Sequence, residues 1–298
     1  MNLQLTIVRK LFGRTPIGLC FSYQSFCEGR VKMISTSILK TKKMATERRN
    51  WTREELIVAF NLYCKIPFTK INYTHKLIQE LAGAIGRTPS AVAWKLVNFA
   101  SLDPTLKAKN IKGASNSGKL DKVIFDEFYS DWNNLAYESE LQLAKLLNHK
   151  VEIDEEVDFE IKEGKVREAV VKVRVNQAFF RNTVLASYEN KCCITGISIS
   201  DFLIASHIIP WSKDEKNRLN PENGLCLNSI HDKAFDKGFI TIDYDYKIKV
   251  SKYFNDFKKE TNIQKFFLDF ENKTIEMPKR FLPNKEFLEY HHNNIFKK

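Results

Sequence analysis

Residues 152–163, EIDEEVDFEIKE, carry seven acids against a single base, Lys162, and this break constrains the chain more than any other feature. Carboxylates packed this densely repel one another once desolvated, so such a run reads as a solvated connector with a folded unit on either side. A chain of 298 residues is long enough for two units, each burying its own core. The expected division is a basic leader or disordered tail at 1–43, a helical unit at 44–150, an acidic linker at 151–165 and a second unit at 166–298.

With 43% hydrophobic and 28% charged residues, the composition is that of a soluble globular protein, not of a disordered or membrane chain. The formal charge of +11 points to a polyanionic partner, since clustered Lys and Arg release counterions from a phosphate backbone. Much of that excess sits in residues 1–43, which hold eight of the 47 Lys and Arg but one of the 36 Asp and Glu. In a eukaryote such a leader would resemble a transit peptide; the simpler expectation is a tail or a mis-called start, with clear helix signals opening after Met44. No apolar run approaches the ~18 residues of a membrane span. The six cysteines, Cys20, Cys27, Cys64, Cys192, Cys193 and Cys226, show no disulfide-framework spacing, so a reducing, cytoplasmic setting is expected.

In Trp51-Thr52-Arg53-Glu54-Glu55, Thr52 can cap a helix with Glu55 as its capping-box partner, and Leu56, Phe60 and Tyr63 follow at helical spacing. A second helix is expected near Lys76 to Ile85, ending at Gly86. In GRTPSAVAWKLVNF, Thr88 is the N-cap, Pro89 takes the first helical position, and Val92, Leu96 and Phe99 share one face. Three short helices with this punctuation resemble a helix-turn-helix or Myb-like reader, which would place Arg87, Thr88, Ser90, Trp94 and Lys95 against DNA; the alternative is an ordinary trihelical bundle with a polar outer face. KGASNSGK at 112–119 reads as a connector, and Leu120 to Leu147 as a long helical segment broken near Asn133-Asn134.

After the acidic break, VRVNQAFFRNTVLASYENKCCITG predicts a helix ending in a turn, and FLIASHIIPW a short strand stopped by Pro210. LNPENGLCLNSIHDKAFDKGFITIDYDYKIKV follows, and GFITID with YKIKV predicts a hairpin. His207, Asn223 and His231-Asp232 are separated by sixteen and then eight or nine positions. The C-x-x-T-G turn, S-H-I-x-P-W strand, N-G-L strand and F-D-x-G helix, in this order from about Gln177 to Asp243, resemble the HNH endonuclease family in its bacterial restriction-type branch. Residues 51–148 and the ending FLPNKEFLEYHHNNIF resemble the flanks of those proteins.

The resemblance implies an α+β chain: a helical N-terminal domain followed by a ββα-metal nuclease domain. A phosphodiester is a poor electrophile, so hydrolysis needs a base for water and a cation for the developing charge. His207 is the candidate base, because a neutral imidazole accepts a proton near pH 7. Asn223 would hold the loop between the strands and the His207 side chain through its amide. The metal, Mg2+ by default with Mn2+ as second choice, would sit at the last helix on Asp232 or His231, with Ser206 as a weak neutral ligand and His231 as a further catalytic candidate. The count of nine residues from Asn223, and the preference of Mg2+ for a carboxylate, favour Asp232. Arg181, in QAFFRNT, is a candidate phosphate contact.

Two departures stand out. Ser206 occupies the place where many relatives carry a carboxylate or His ligand, and Thr195 stands where a second knuckle cysteine would fall, so no structural zinc is expected. His75, His149 and His291-His292 lack ligand spacing and read as packing or surface residues. DNA is the expected partner, without a membrane, and a homodimer stays open. The alternatives are a DNA-binding protein that keeps the HNH fold without cleavage, favoured by Ser206, and an RNA nuclease.

Overall fold

The structure, a computed structural model, describes residues 49–111, 117–146 and 165–298, with backbone alone for 165–172. The leader 1–43, His149, the acidic break and most of the KGASNSGK connector lie outside the described residues. The chain is mixed helix and strand.

Helix α1, Arg53–Lys65, starts at the expected capping box: the Thr52 hydroxyl accepts from the Glu55 N–H, and the Glu55 carboxylate accepts from the Thr52 N–H. Leu56, Phe60 and Tyr63 are fully buried. Phe60 centres an aromatic core, 5.0 Å from the Phe99 ring and 5.3 Å from Phe125. Helix α2, Lys76–Ala84, is stopped by Gly86 at φ +65°, a backbone setting that costs glycine little. Helix α3, Pro89–Leu102, begins on Thr88, whose hydroxyl accepts from Ala91 N–H, and Val92, Leu96 and Phe99 are fully buried. A short α4, Pro104–Ala108, is capped by buried Asp103.

The segment expected to break near Asn133-Asn134 instead forms α5, Lys119–Phe128, and α6, Trp132–Leu146, with the break at Tyr129–Asp131. The reason is a cap: the Asp131 carboxylate accepts from Asn134 N–H at 3.1 Å, which starts a new helix and puts both asparagines inside it. Helix α7, Lys165–Ser187, leads into the strands, and its Phe179 stacks on Trp132 of α6 at 6.3 Å.

Strands β1, Leu203–His207, and β2, Gly224–Asn228, pair antiparallel in the register Leu203↔Asn228 to His207↔Gly224. Helix α8, Ser229–Asp236, packs over both. A second hairpin, β3 (Ile240–Ile242) with β4 (Ile248–Val250), forms where the sequence predicts it. Helices α9, Thr261–Phe266, and α10, Lys285–Asn294, close the chain. His291 of α10 is a packing residue: it stacks on Phe235 at 3.7 Å, pairs with Thr241, and burial drives its pKa down to about 4 against the pull of the Phe235 carbonyl.

The described residues from 49 to 298 form one compact unit. The helical part and the strand-bearing part share a single core, and buried Arg280 reaches across to donate to the carbonyls of Tyr63, Cys64 and Ile66 at the end of α1. Lys109 likewise donates to the Pro278 carbonyl at 2.7 Å.

Candidate active site

The loop between β1 and β2 is tied to Asn223. Its Oδ1 accepts from Ile209 N–H at 2.8 Å, and its Nδ2 donates to the carbonyls of Ile209 and Asn217, both at 3.2 Å. Its own carbonyl accepts from Ile208 N–H at 2.9 Å. The side chain is fully buried, so each of these bonds replaces water it has lost. The sequence reading also gave Asn223 the His207 side chain. The structure gives that ring to a backbone group of the same loop instead: Nε2 of His207 lies 2.9 Å from the Arg218 carbonyl.

A carbonyl only accepts, so Nε2 carries the proton and the lone pair belongs to Nδ1. The ring lies flat on Phe180, with centroids 3.9 Å apart and planes 9° apart, and meets the Trp211 ring edge-on at 5.5 Å. Burial lowers the His207 pKa below its ordinary value, partly opposed by the Arg218 carbonyl. The imidazole is therefore neutral, and able to take a proton, at pH 7.

At the N-cap of α8 stands Asn228. Its Oδ1 accepts from the N–H groups of Ile230 and His231, while its Nδ2 faces Nδ1 of His231 at 2.8 Å and Thr195 Oγ1 at 3.1 Å. This residue ties the Cys192–Thr195 turn to the helix, and sequence reasoning missed it. The available signal was an Asn placed ahead of an amphipathic stretch, as an N-cap would be.

His231, expected as a metal ligand and catalytic group, is corrected by this geometry. Its Nε2 lies 2.7 Å from the Phe266 carbonyl and must donate, so Nδ1 accepts from Asn228 and no lone pair is left for a cation. The side chain is 2% exposed, with the Phe267 and Phe270 rings edge-on to it. The helix begins at Ser229, so position 231 turns into the core with Ala234 and Phe235.

Asp232, about 100° further round the helix, faces β1. Burial, with the neighbouring Asp236 adding to it, pushes its pKa up to about 6, against the pull of the Ser206 hydroxyl and Lys233. Ser206 is 3% exposed and its Oγ makes no hydrogen bond of normal geometry, although it lies near enough to Asp232 to act on its charge. Among the described residues no three His, Cys, Asp or Glu side chains converge into a ready metal cage.

Beside His207 opens a cleft of about 320 Å³, lined by Gln177, Phe180 and Arg181 of α7 and by Ile204, His207 and Trp211. Neither Ser206 nor Asp232 lines it. Arg181 donates from one terminal nitrogen to the Leu203 carbonyl at 2.8 Å, which fixes the guanidinium on the cleft wall.

The expected DNA contacts of the helical part separate into two groups. Arg87 is corrected: it pairs with Glu55 at 2.7 Å, donates to the carbonyls of Arg49 and Asn50, and covers the Trp51 ring at 4.0 Å. Lys95 is corrected as well, since it is 8% exposed and clasps both oxygens of buried Asp121 at 2.8 and 2.9 Å. Thr88 and Ser90 are exposed, with the Thr88 hydroxyl occupied as a cap, and Trp94 is 65% exposed.

Residues 192–243 match the HNH endonuclease family, a span that takes in the Cys192 turn, both strands of the ribbon, α8 and β3. No curated protein matches the chain.

Proposed function

Taking residues 192–243 as a segment of the HNH endonuclease family, we propose that this protein is a divalent-metal-dependent endonuclease that hydrolyses DNA phosphodiester bonds, with Nδ1 of His207 as its base. The supporting observation is the bond from His207 Nε2 to the Arg218 carbonyl, which fixes the tautomer that leaves Nδ1 free to accept. Nδ1 takes the proton of an attacking water, and the imidazolium then shares its Nε2 proton with the carbonyl. Asn223 acts as a positioning residue, because the loop that supplies this carbonyl hangs on its amide. Arg181 meets a phosphate oxygen with the N–H groups it does not spend on Leu203.

The orphaned, buried Ser206 Oγ beside the Asp232 carboxylate fits a hard cation, which needs one or two protein oxygens and keeps several waters. Asp232 and Ser206 would hold Mg2+, or Mn2+ in its place. When bound, the ion supplies positive charge against the developing charge on the leaving oxygen. The same reading places the protein in the cytoplasm, in restriction or phage defence. It leaves site choice to the helical part through its exposed positions, Thr88, Ser90 and Trp94.

Plasmid nicking with and without Mg2+ is the direct test. Loss of the general base is expected to slow cutting by ~100-fold or more in His207→Ala, with DNA affinity nearly kept. Cutting by His207→Ala at close to the native rate removes that residue from the mechanism. The neutral Ser206 favours a second reading, a DNA-binding protein without cleavage; nicking by the native chain in Mg2+ rules that out.

A further inference from the structure

The cleft beside His207 is more apolar than phosphodiester hydrolysis requires. Apart from His207 its polar side chains are Gln177 and Arg181, one helical turn apart on α7, and the remainder of the wall includes Ile204, Phe180 and Trp211. We propose that this cleft seats one unpaired base of the nucleic-acid substrate, next to the phosphate that is cut. The substrate class is then single-stranded DNA, or a duplex with an extrahelical nucleotide. The proposal rests on the nuclease reading above.

Four observations support it. The volume of about 320 Å³ lies at the small end of ligand clefts and suits a single nucleotide unit. Trp211 is only half-buried and lines the cleft, with its indole held under the Arg218 guanidinium at 5.3 Å, so it offers aromatic surface to a stacking partner. A base inside a duplex has both faces covered by its neighbours and cannot offer one to an indole, whereas an unpaired base can. Gln177 is exposed at the cleft and offers both a donor and an acceptor, as a free base edge requires, while Arg181 adds positive charge for the adjoining phosphate.

The test uses the full chain in chelator, so that binding is read without cutting, and follows the anisotropy of one labelled oligonucleotide as single strand, as perfect duplex and as duplex with one unpaired nucleotide. The single strand and the bulged duplex are expected to bind about 10-fold tighter than the perfect duplex. Trp211→Ala is expected to remove most of that preference and Trp211→Phe to restore it. Gln177→Ala, at an exposed position, is expected to change the ranking of the four bases at the bulge without changing duplex affinity. Equal affinity for all three ligands overturns the proposal, and so does a preference that survives both Trp211→Ala and Gln177→Ala. If Trp211→Ala fails to fold, as judged by its melt, the Gln177→Ala ranking decides. Failure of the nuclease reading is separately visible as absence of nicking in Mg2+, on which none of the binding measurements depends.

Discussion

The guanidinium of Arg280 lies over the ring of Tyr63, 4.4 Å from its centroid, and donates to the Tyr63 carbonyl at 2.5 Å across 217 positions of chain. Its other terminal nitrogen donates to the carbonyls of Ile66 and Cys64, so one fully buried side chain satisfies the open end of α1. The Tyr63 hydroxyl in turn donates to buried Asp103 at 2.9 Å, which places a negative charge at the far end of the same ring.

Truncating this residue strands three buried carbonyls at once. Arg280→Ala is expected to cost about 3 kcal/mol or more. A thermal melt should show one transition, lowered as a whole, since the helical and strand-bearing parts share their core. Two separated transitions, or an unchanged melt, would mean that the two parts fold without each other. By the same logic a fragment beginning near residue 165 lacks the acceptors for Arg280 and should be much less stable than the full chain.

Local chemistry was legible in the sequence. The Thr52 and Thr88 caps, the stop at Gly86, the strand ahead of Pro210 and the hairpin all follow from side chains acting on backbone within a few residues, and the structure has each of them, while the second strand of the ribbon came from the family resemblance. What the sequence hid depends on direction or distance. Arg87 and Lys95 have the right charge for DNA, but their partners, Glu55 and Asp121, lie 32 and 26 positions away. His231 and Asp232 are adjacent, and only the start of α8 at Asn228 decides which faces the core. Arg280 gave no signal, because its partners are carbonyls, which every residue has.

The inward placement of Arg87 and Lys95 gives an expectation opposite to that of a DNA-contacting role. Arg87→Ala and Lys95→Met should lower the melting temperature, since the first leaves buried Glu55 with only the half-exposed Arg49 and the second leaves buried Asp121 without its cation. The slope of DNA affinity against salt should stay unchanged, because neither cation is available to displace counterions. A slope shallower by about one unit for either variant would return that residue to the DNA surface.

Asp232 and His231 should separate in a metal titration. Asp232→Asn is expected to raise the Mg2+ concentration needed for cutting far more than His231→Ala, which should mainly lower the melting temperature; the reverse ranking would give the ligand role to His231. The acid limb of cutting at limiting Mg2+ should lie near pH 6, where Asp232 protonates, and should move lower as Mg2+ is raised. The stability sign follows from the raised pKa. Folding favours protonated Asp232, so the contribution of this group to metal-free stability is greatest below the ordinary carboxyl range and is lost as pH rises through about 6. Asp232→Asn should therefore melt a few degrees higher than the native chain at pH 8 without metal.

Gly224 stands opposite His207 in the β1–β2 register, and it is there for closeness of approach. A Cβ at this position would come 2.3 Å from Val184 Cγ2, 3.1 Å from Phe180 Cζ and 3.2 Å from the Pro221 carbonyl oxygen. Phe180 is the ring on which His207 lies, and Pro221 sits in the turn that carries Asn223, so a methyl group here pushes on both supports of the base. Gly224→Ala should cost about 1–3 kcal/mol of stability through overpacking. It should also slow cutting at saturating DNA by about 10-fold, because the imidazole loses its fixed position while phosphate contacts remain. Removing the nearest obstacle should reverse part of the damage: Val184→Ala combined with Gly224→Ala should cut faster than Gly224→Ala alone, a coupling that a double-mutant cycle measures directly. A Gly224→Ala protein that melts low but cuts at the native rate would show that the stack on Phe180 supports the fold and not the orientation of His207.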